Sequence, residues 1–321
     1  MEYSVIIRTI GKAGEKYQRL LDSIKNSSVL PKEIIVVIPD GFDLPKEQLG
    51  YEKFVFCKRG MVNQRLEGIN QCKTDYALIL DDDIAFGPDF VEMVSKPVVS
   101  GKYAISSGPL LEFFPPKGKH SLFSAITGNA VPTLFHKNRY NTILHTTGYS
   151  YNRNIVFNQN KLYETQSAAW TCFFADVNKL RSIHFEDELW LDDHKYSAHD
   201  DTAMFYKAWL MGHKSVIVAD ALYKHLDAKT SKIDNVEARE FALGFNTFVF
   251  WKRFILEPSV GIEKLWSRIC FGYYLLFARV LAASKALKSR KTMSSFFEGI
   301  RSGKHWTKTN EYKLKEKIRL I

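Results

Sequence analysis

Short apolar runs alternate with amphipathic stretches over the first third of the chain. "SVIIRT" (4–9) predicts a strand, and Tyr17, Leu20, Leu21 and Ile24 then recur at helical spacing on one face. "EIIVVI" (33–38) predicts a second strand, which makes the opening a βαβ unit. A third run, "FVFCKR" (54–59), precedes a predicted helix with Val62, Leu66, Ile69 and Cys72 on one side, and "YALIL" (76–80) follows. These strands are continuously apolar rather than alternating, the pattern of a mostly parallel sheet covered by helices on both faces. The predicted fold class is therefore α/β, with a doubly wound sheet.

From about 109 to 170 the pattern loosens into Pro, Gly, Asn and aromatic residues, read as loops and short elements around a site. Regularity returns with "WTCFFAD" (170–176), a short helix near 177–181, a polar loop over 186–199, a helix from Asp200 to Met211 and the strand "KSVIVAD" (214–220). Beyond about 230 aromatic and basic residues interleave in a helical pattern. The longest uncharged apolar run there, between Arg268 and Arg279, is too short for the roughly 20 residues that a bilayer requires. A helix lying in the membrane interface fits this segment, as does a helical subdomain packed on the core.

Charge sharpens that division. The chain has 321 residues and a formal net charge of +10; residues 1–225 carry 26 Lys+Arg against 26 Asp+Glu, and residues 226–321 carry 19 against 9. The whole excess sits in the last third, where it can meet an anionic membrane, an acidic substrate or nucleic acid. The four cysteines (Cys57, Cys72, Cys172, Cys270) lie far apart without a CxxC pair, which argues against a structural zinc site and a disulfide framework. The N-terminal residues show no charged, apolar and small-residue sequence of a secretion signal, so a cytoplasmic location is expected.

Ligands of such sheets bind beyond the carboxyl ends of the strands. The polar residues there are Arg8-Thr9, Asp40-Gly41 and Asp81-Asp82-Asp83. Three adjacent carboxylates repel one another unless a cation intervenes, and oxygen ligands suit Mg2+ or Mn2+; the competing reading is a solvated acidic turn. Asp200 and Asp201 open a predicted helix, where carboxylates serve as caps but are also placed to act as a rigid general base. His225 follows the strand 214–220 and is positioned to reach the same cleft.

Taken in order, "YSVIIRTIGK", "PKEIIVVIPDG", "GMVNQRLEGI", "LDDDI" and "AHDDTAMFYKAWLMGHK" resemble the GT-A family 2 glycosyltransferases over residues 3–226. The resemblance implies a Rossmann-like, mostly parallel GT-A sheet over 1–230, with a nucleotide-sugar half (about 1–108) and an acceptor half (about 109–230). A helical, basic-aromatic extension over 231–321 follows. It implies that Thr9, Asp40 and Arg65 line the nucleotide pocket, with Asp81 beside the ribose and sugar and Asp82 also on the donor side. Asp83 and His225 would hold Mn2+ or Mg2+, and Asp201, with Asp200 beside it, would be the base. The expected donor is a nucleoside-diphosphate sugar, UDP-sugar favoured, and the expected acceptor is a glycan or lipid-linked molecule in cell-surface polysaccharide synthesis. Tyr149, Tyr151 and Trp170 are candidates for acceptor stacking. An anionic membrane surface is the expected further partner, on the cytoplasmic face of the inner membrane, and no nucleic acid is expected. Arg8 stands where Pro is common, Leu66 replaces the usual Asn, and Asp200 stands where Glu is frequent.

Two other classes use parts of the same pattern. Nucleotidyl transfer also employs strand-end aspartates with Mg2+, but "RTIGKAGEK" (8–16) lacks the pattern of a phosphate loop. A membrane- or nucleic-acid-binding module would use the basic tail and have no need of the strand-end carboxylates.

Overall fold

The computed structural model describes residues 1–115, 138–194, 196–228, 235–284 and 287–318. Its centre is an eight-stranded sheet in the order β3-β2-β1-β4-β10-β6-β11-β9. The strands are β1 (Ser4–Arg8), β2 (Glu33–Pro39), β3 (Lys53–Cys57), β4 (Tyr76–Asp81), β6 (Ile105–Ser107), β9 (Leu162–Thr165), β10 (Cys172–Asp176) and β11 (Ser215–Val218). β3, β2, β1 and β4 are mutually parallel. β10 lies antiparallel between β4 and β6, and β11 returns to run parallel with β6. A continuously apolar run signals two covered faces but not strand direction, which is why the reversal at β10 was not legible. Two short ladders stand apart, β5 (Ile84–Phe86) with β12 (Tyr223–His225), and β7 (Asn141–Ile143) with β8 (Tyr149–Tyr151).

Helix α1 (Glu15–Lys25) buries the four expected residues, Tyr17, Leu20, Leu21 and Ile24. Helix α2 (Met61–Gln71) departs from the expectation. It buries Gln64, Arg65 and Gly68 together with Val62 and Ile69, while Leu66 is only half-buried. A Cβ at Gly68 would collide with the Ile6 side chain, so the glycine lets α2 lie close on β1. Gln64 donates to the carbonyls of Thr9 and Val37, tying the ends of β1 and β2 to the helix. Helices α3 (Phe90–Val99), α4 (Val177–Ser182) and α5 (Asp200–Leu210) complete the sheet's cover.

The stretch expected as a polar loop over 186–199 begins instead as a 3₁₀ segment, Phe185–Asp192, with Glu188 and Trp190 fully buried. Glu188 is the centre of a buried charge cluster. Arg253 donates to both of its carboxylate oxygens at 2.7 Å, and Lys207 of α5 and the Trp190 indole N–H donate at 2.8 Å. Arg253 belongs to a π-helical turn, Trp251–Leu256, that continues helix α6 (Val236–Phe250). The C-terminal helices are thereby tied to α5, and Phe245, Phe248, Phe250 and Phe254 join the same apolar core as Phe173 and Phe205.

Helices α7 (Gly261–Ser284), α8 (Leu287–Trp306) and α9 (Asn310–Leu314) form the rest of the helical part. α8 crosses α6 at glycines. A Cβ on Gly244 would strike the Phe296 carbonyl, and one on Gly299 the Phe241 carbonyl, so the backbones meet without side chains between them. Among the described residues no helix is long and apolar enough to cross a membrane. All four cysteines are free, with Cys72 and Cys172 buried and Cys57 and Cys270 half-buried.

Candidate active site

The parallel register of β1 and β4 sets Arg8 beside Asp81 at the carboxyl ends of the strands. The Arg8 guanidinium grips the Asp81 carboxylate with two bonds, at 2.7 and 2.8 Å. Arg65, buried on the inner face of α2, adds a third bond to Asp81 at 3.0 Å and donates to the Trp170 carbonyl at 3.1 Å. Its guanidinium lies 4.2 Å from the centre of the Trp170 ring, and it reaches Asp200 at 3.4 Å. One arginine thus links the strand-end aspartates to the pair that opens α5. A planar guanidinium with fixed donors suits such a bridge.

Each member of the aspartate triplet has its own partner. All three are about 93% buried. Asp81 is paired with two guanidinium groups, those of Arg8 and Arg65. Asp82 accepts from the Thr9 hydroxyl at 2.6 Å, and Thr9 in turn accepts from the Gly11 N–H. Burial pushes the Asp82 carboxyl up to about 6, against the pull of Thr9 and Arg8. Asp83 lies 3.2 Å from His225 Nε2 and accepts the Ala228 N–H at 2.7 Å. Burial opposes the Asp83 charge, but these two partners more than offset it and leave the carboxyl below its ordinary value. The Asp83 hydrogen bond outweighs burial at His225 and raises the imidazole.

His225 reaches Asp83 because β12 pairs with β5, the strand that begins just after the triplet, with His225 opposite Ile84. Among the described residues no group of three or more His, Cys, Asp or Glu could hold a metal. The donor set that fits one is Asp83 with His225, a carboxylate and an imidazole, with the remaining positions open to substrate oxygens and water.

Asp200 and Asp201 begin α5 behind His199, whose φ of 70° makes the sharp entry into the helix. The His199 ring stacks on Phe250 and hydrogen-bonds Thr247, and the Asn246 amide donates to the Ala198 carbonyl. Helix α6 therefore braces the loop that presents the carboxylates. Asp201 accepts from the backbone N–H and hydroxyl of Thr202 at 2.6 and 3.2 Å. Burial, and for Asp200 the adjacent Asp201 charge, lifts both carboxyls above their ordinary range.

Tyr149 on β8 is 43% exposed and packs edge-on against Tyr151, itself set against Tyr140 and Phe114. Burial raises the Tyr149 phenol to about 12, and the Asp201 charge adds to the shift, as it does at Tyr151 and Tyr196. Trp170 is 3% exposed, with Arg65 over its face and Phe185 against it edge-on. Asp40 stands exposed just past β2, next to Phe42, whose ring has the Lys12 ammonium and Arg59 guanidinium 5.5 and 5.6 Å from its centre.

Several supporting residues gave no sequence signal. Asp192 accepts the Val62 and Asn63 N–H groups and so caps α2 from 130 residues away. Tyr196 and Phe42 lie in loops without periodicity. Arg8 was marked as a polar residue at the end of its strand and as a departure from the family pattern, but nothing local paired it with Asp81.

Residues 4–166 match the profile of Glycosyl transferase family 2. Direct comparison with curated protein sequences gives no match. The fold is similar to that of S. aureus TarS 1-349, at 13% identity and a TM-score of 0.52, covering 94% of this chain and 81% of that one. The same protein in complex with UDP-GlcNAc gives 12% identity and a TM-score of 0.51, covering 94% and 82%. The sheet described above, with its helical C-terminal part, is thus of the GT-A type.

Proposed function

The chain belongs to Glycosyl transferase family 2 and is a glycosyltransferase, and from that premise we propose how its cleft divides the work. The donor is a nucleoside-diphosphate sugar, with a UDP-sugar favoured; the similar fold of TarS has been crystallised with UDP-GlcNAc. The acceptor is a hydroxyl of a glycan or lipid-linked molecule, and the product is formed with inversion. Catalysis is assigned to residues 1–230, with 231–321 as a bracing helical extension.

The observation that carries this reading is the Arg65 bridge. It ties Asp81, on the donor side, to Asp200, on the base side, in one buried network. Thr9, Asp40, Arg65, Asp81 and Asp82 belong to the donor side of the cleft. Tyr149 and Tyr151 offer ring faces to the acceptor beside Asp201, and Trp170 serves as the platform that positions Arg65. Asp201 takes the proton of the acceptor hydroxyl as that oxygen forms its bond to the anomeric carbon. The bond from that carbon to the diphosphate oxygen breaks with its electron pair on the diphosphate. Asp200 keeps Asp201 company as a second carboxylate and orients Arg65. Asp83 and His225 would hold Mn2+ or Mg2+, which when bound supplies positive charge to the departing diphosphate.

A single displacement requires the product to have the opposite anomeric configuration to the donor. Proton NMR of the freshly formed glycoside is expected to show that inversion; retention would remove Asp201 from the role of base and require a nucleophile instead.

A further inference from the structure

Helix α7 is apolar on two opposite sides. Its inner side packs on the core through Ser267 and Phe271, the latter ring stacked on Trp251 at 4.2 Å. Its outer side presents Ile262, Leu265, Trp266, Ile269, Leu276 and Val280, exposed by 53% or more. At 100° per residue these six fall within about 60° of a single line along the helix. A surface helix ordinarily turns a polar face outward, and scattered apolar residues do not align over about five turns. Arg268 and Arg279 run along one flank of this stripe.

We propose that the outer stripe of α7 docks the enzyme on an anionic lipid bilayer, with the acceptor side of the cleft held at that surface. Charge selects the occupant. The chain from 226 onward carries 19 Lys+Arg against 9 Asp+Glu, so a second copy docked through the same face would set like charge against like. An anionic bilayer instead receives the apolar stripe and attracts Arg268 and Arg279 on its flank, at about 1 kcal/mol for each Lys or Arg near the surface.

The position of the helix gives the docking its consequence. Ser267, on the inner side of α7, lies 2.8 Å from His145 Nδ1, in the turn joining β7 to β8. The β8 end of that hairpin carries Tyr149 and Tyr151. A helix is only about 10 Å across, so a bilayer against the outer stripe comes within about that distance of the hairpin that forms the acceptor wall. An acceptor anchored in the membrane by a lipid then reaches the cleft without leaving its anchor. This last step rests on the reading of Asp201 and Tyr149 as the acceptor side; the docking face does not.

The full chain should be sedimented with vesicles of equal phosphatidylglycerol and phosphatidylcholine, and with phosphatidylcholine alone. Binding to the anionic vesicles is expected, weakened by salt, and at least about tenfold weaker in Leu265→Glu/Ile269→Glu. Arg268→Glu, an independent variant on the flank, is expected to weaken only the anionic binding. Nucleotide-sugar stabilisation should be the same in all the chains, which checks their folding. Absence of wild-type binding, or equal binding by the double variant, would overturn the docking face. A wild-type dimer that the double variant dissociates, without vesicle binding by either, would assign the stripe to a second copy and overturn it too. Vesicle binding without donor stabilisation would support the docking face and count against the proposed donor.

Discussion

Replacing Asp201 by Asn is expected to leave donor binding unchanged and to lower the transfer rate about 10²–10⁴-fold, the range that a positioned general base contributes. The substitution preserves shape, and the amide oxygen still accepts the Thr202 N–H that fixes the side chain. It removes the lone pair and charge that would take the acceptor proton. Asp201 has few other duties, since Arg65 reaches the pair through Asp200 at 3.4 Å. Single-turnover transfer and calorimetric donor titration on the same preparation separate the two effects. Unchanged transfer excludes Asp201 as base; lost donor binding would mean that the pair shapes the donor pocket instead.

A comparably large effect on stability is expected at Glu188, which has no assigned part in the chemistry. The carboxylate is wholly buried and offers the counter-charge for both Arg253 and Lys207. Glu188→Gln leaves two buried cations with only the more exposed Asp187 carboxylate, 3.9 Å from each, as counter-charge and sets an amide N–H against a guanidinium. Breaking a buried pair in this way costs about 3–5 kcal/mol. Because the pair joins α5 to the π-helical turn after α6, the loss is expected as one earlier cooperative transition in urea. A triple replacement with apolar side chains, Glu188→Leu, Arg253→Met and Lys207→Met, should recover much of it, since the desolvation cost of the charges disappears with them. A loss below about 1 kcal/mol in Glu188→Gln would show that the cluster adds little beyond an ordinary surface pair.

What the sequence made legible follows from how local each signal is. The first four strands and the buried face of α1 rest on short-range periodicity, and the structure places them within a residue or two of expectation. The aspartate triplet was visible because three like charges after an apolar strand demand compensation. Its compensation was not visible, because Arg8 comes from a neighbouring strand and Arg65 from a helix face that was read as apolar. His225 was marked by its place after a strand, yet only the β5–β12 ladder brings it to Asp83. Glu188, Asp192 and Arg253 act over separations of 65 to 130 residues, and no local pattern encodes such a pairing. For α7 the sequence offered both an interfacial helix and one packed on the core, and only the packing shows which residues stay exposed. Periodicity shows that two sides of a helix are apolar but not which of them the core covers.

If Asp83 and its neighbours form a metal-dependent nucleotide-sugar site, thermal unfolding should show it. Wild type and Asp83→Asn should be melted with a panel of nucleoside diphosphates and their sugars, with and without Mn2+. The Asn variant keeps an acceptor for the Ala228 N–H, so its fold should hold while its charge toward a cation is gone. One nucleotide is expected to stabilise the wild type only with Mn2+, by about 2.7 kcal/mol at a hundred times its Kd, and to leave Asp83→Asn unmoved. No stabilisation of the wild type by any nucleotide, or the same Mn2+-dependent response in Asp83→Asn, would contradict it.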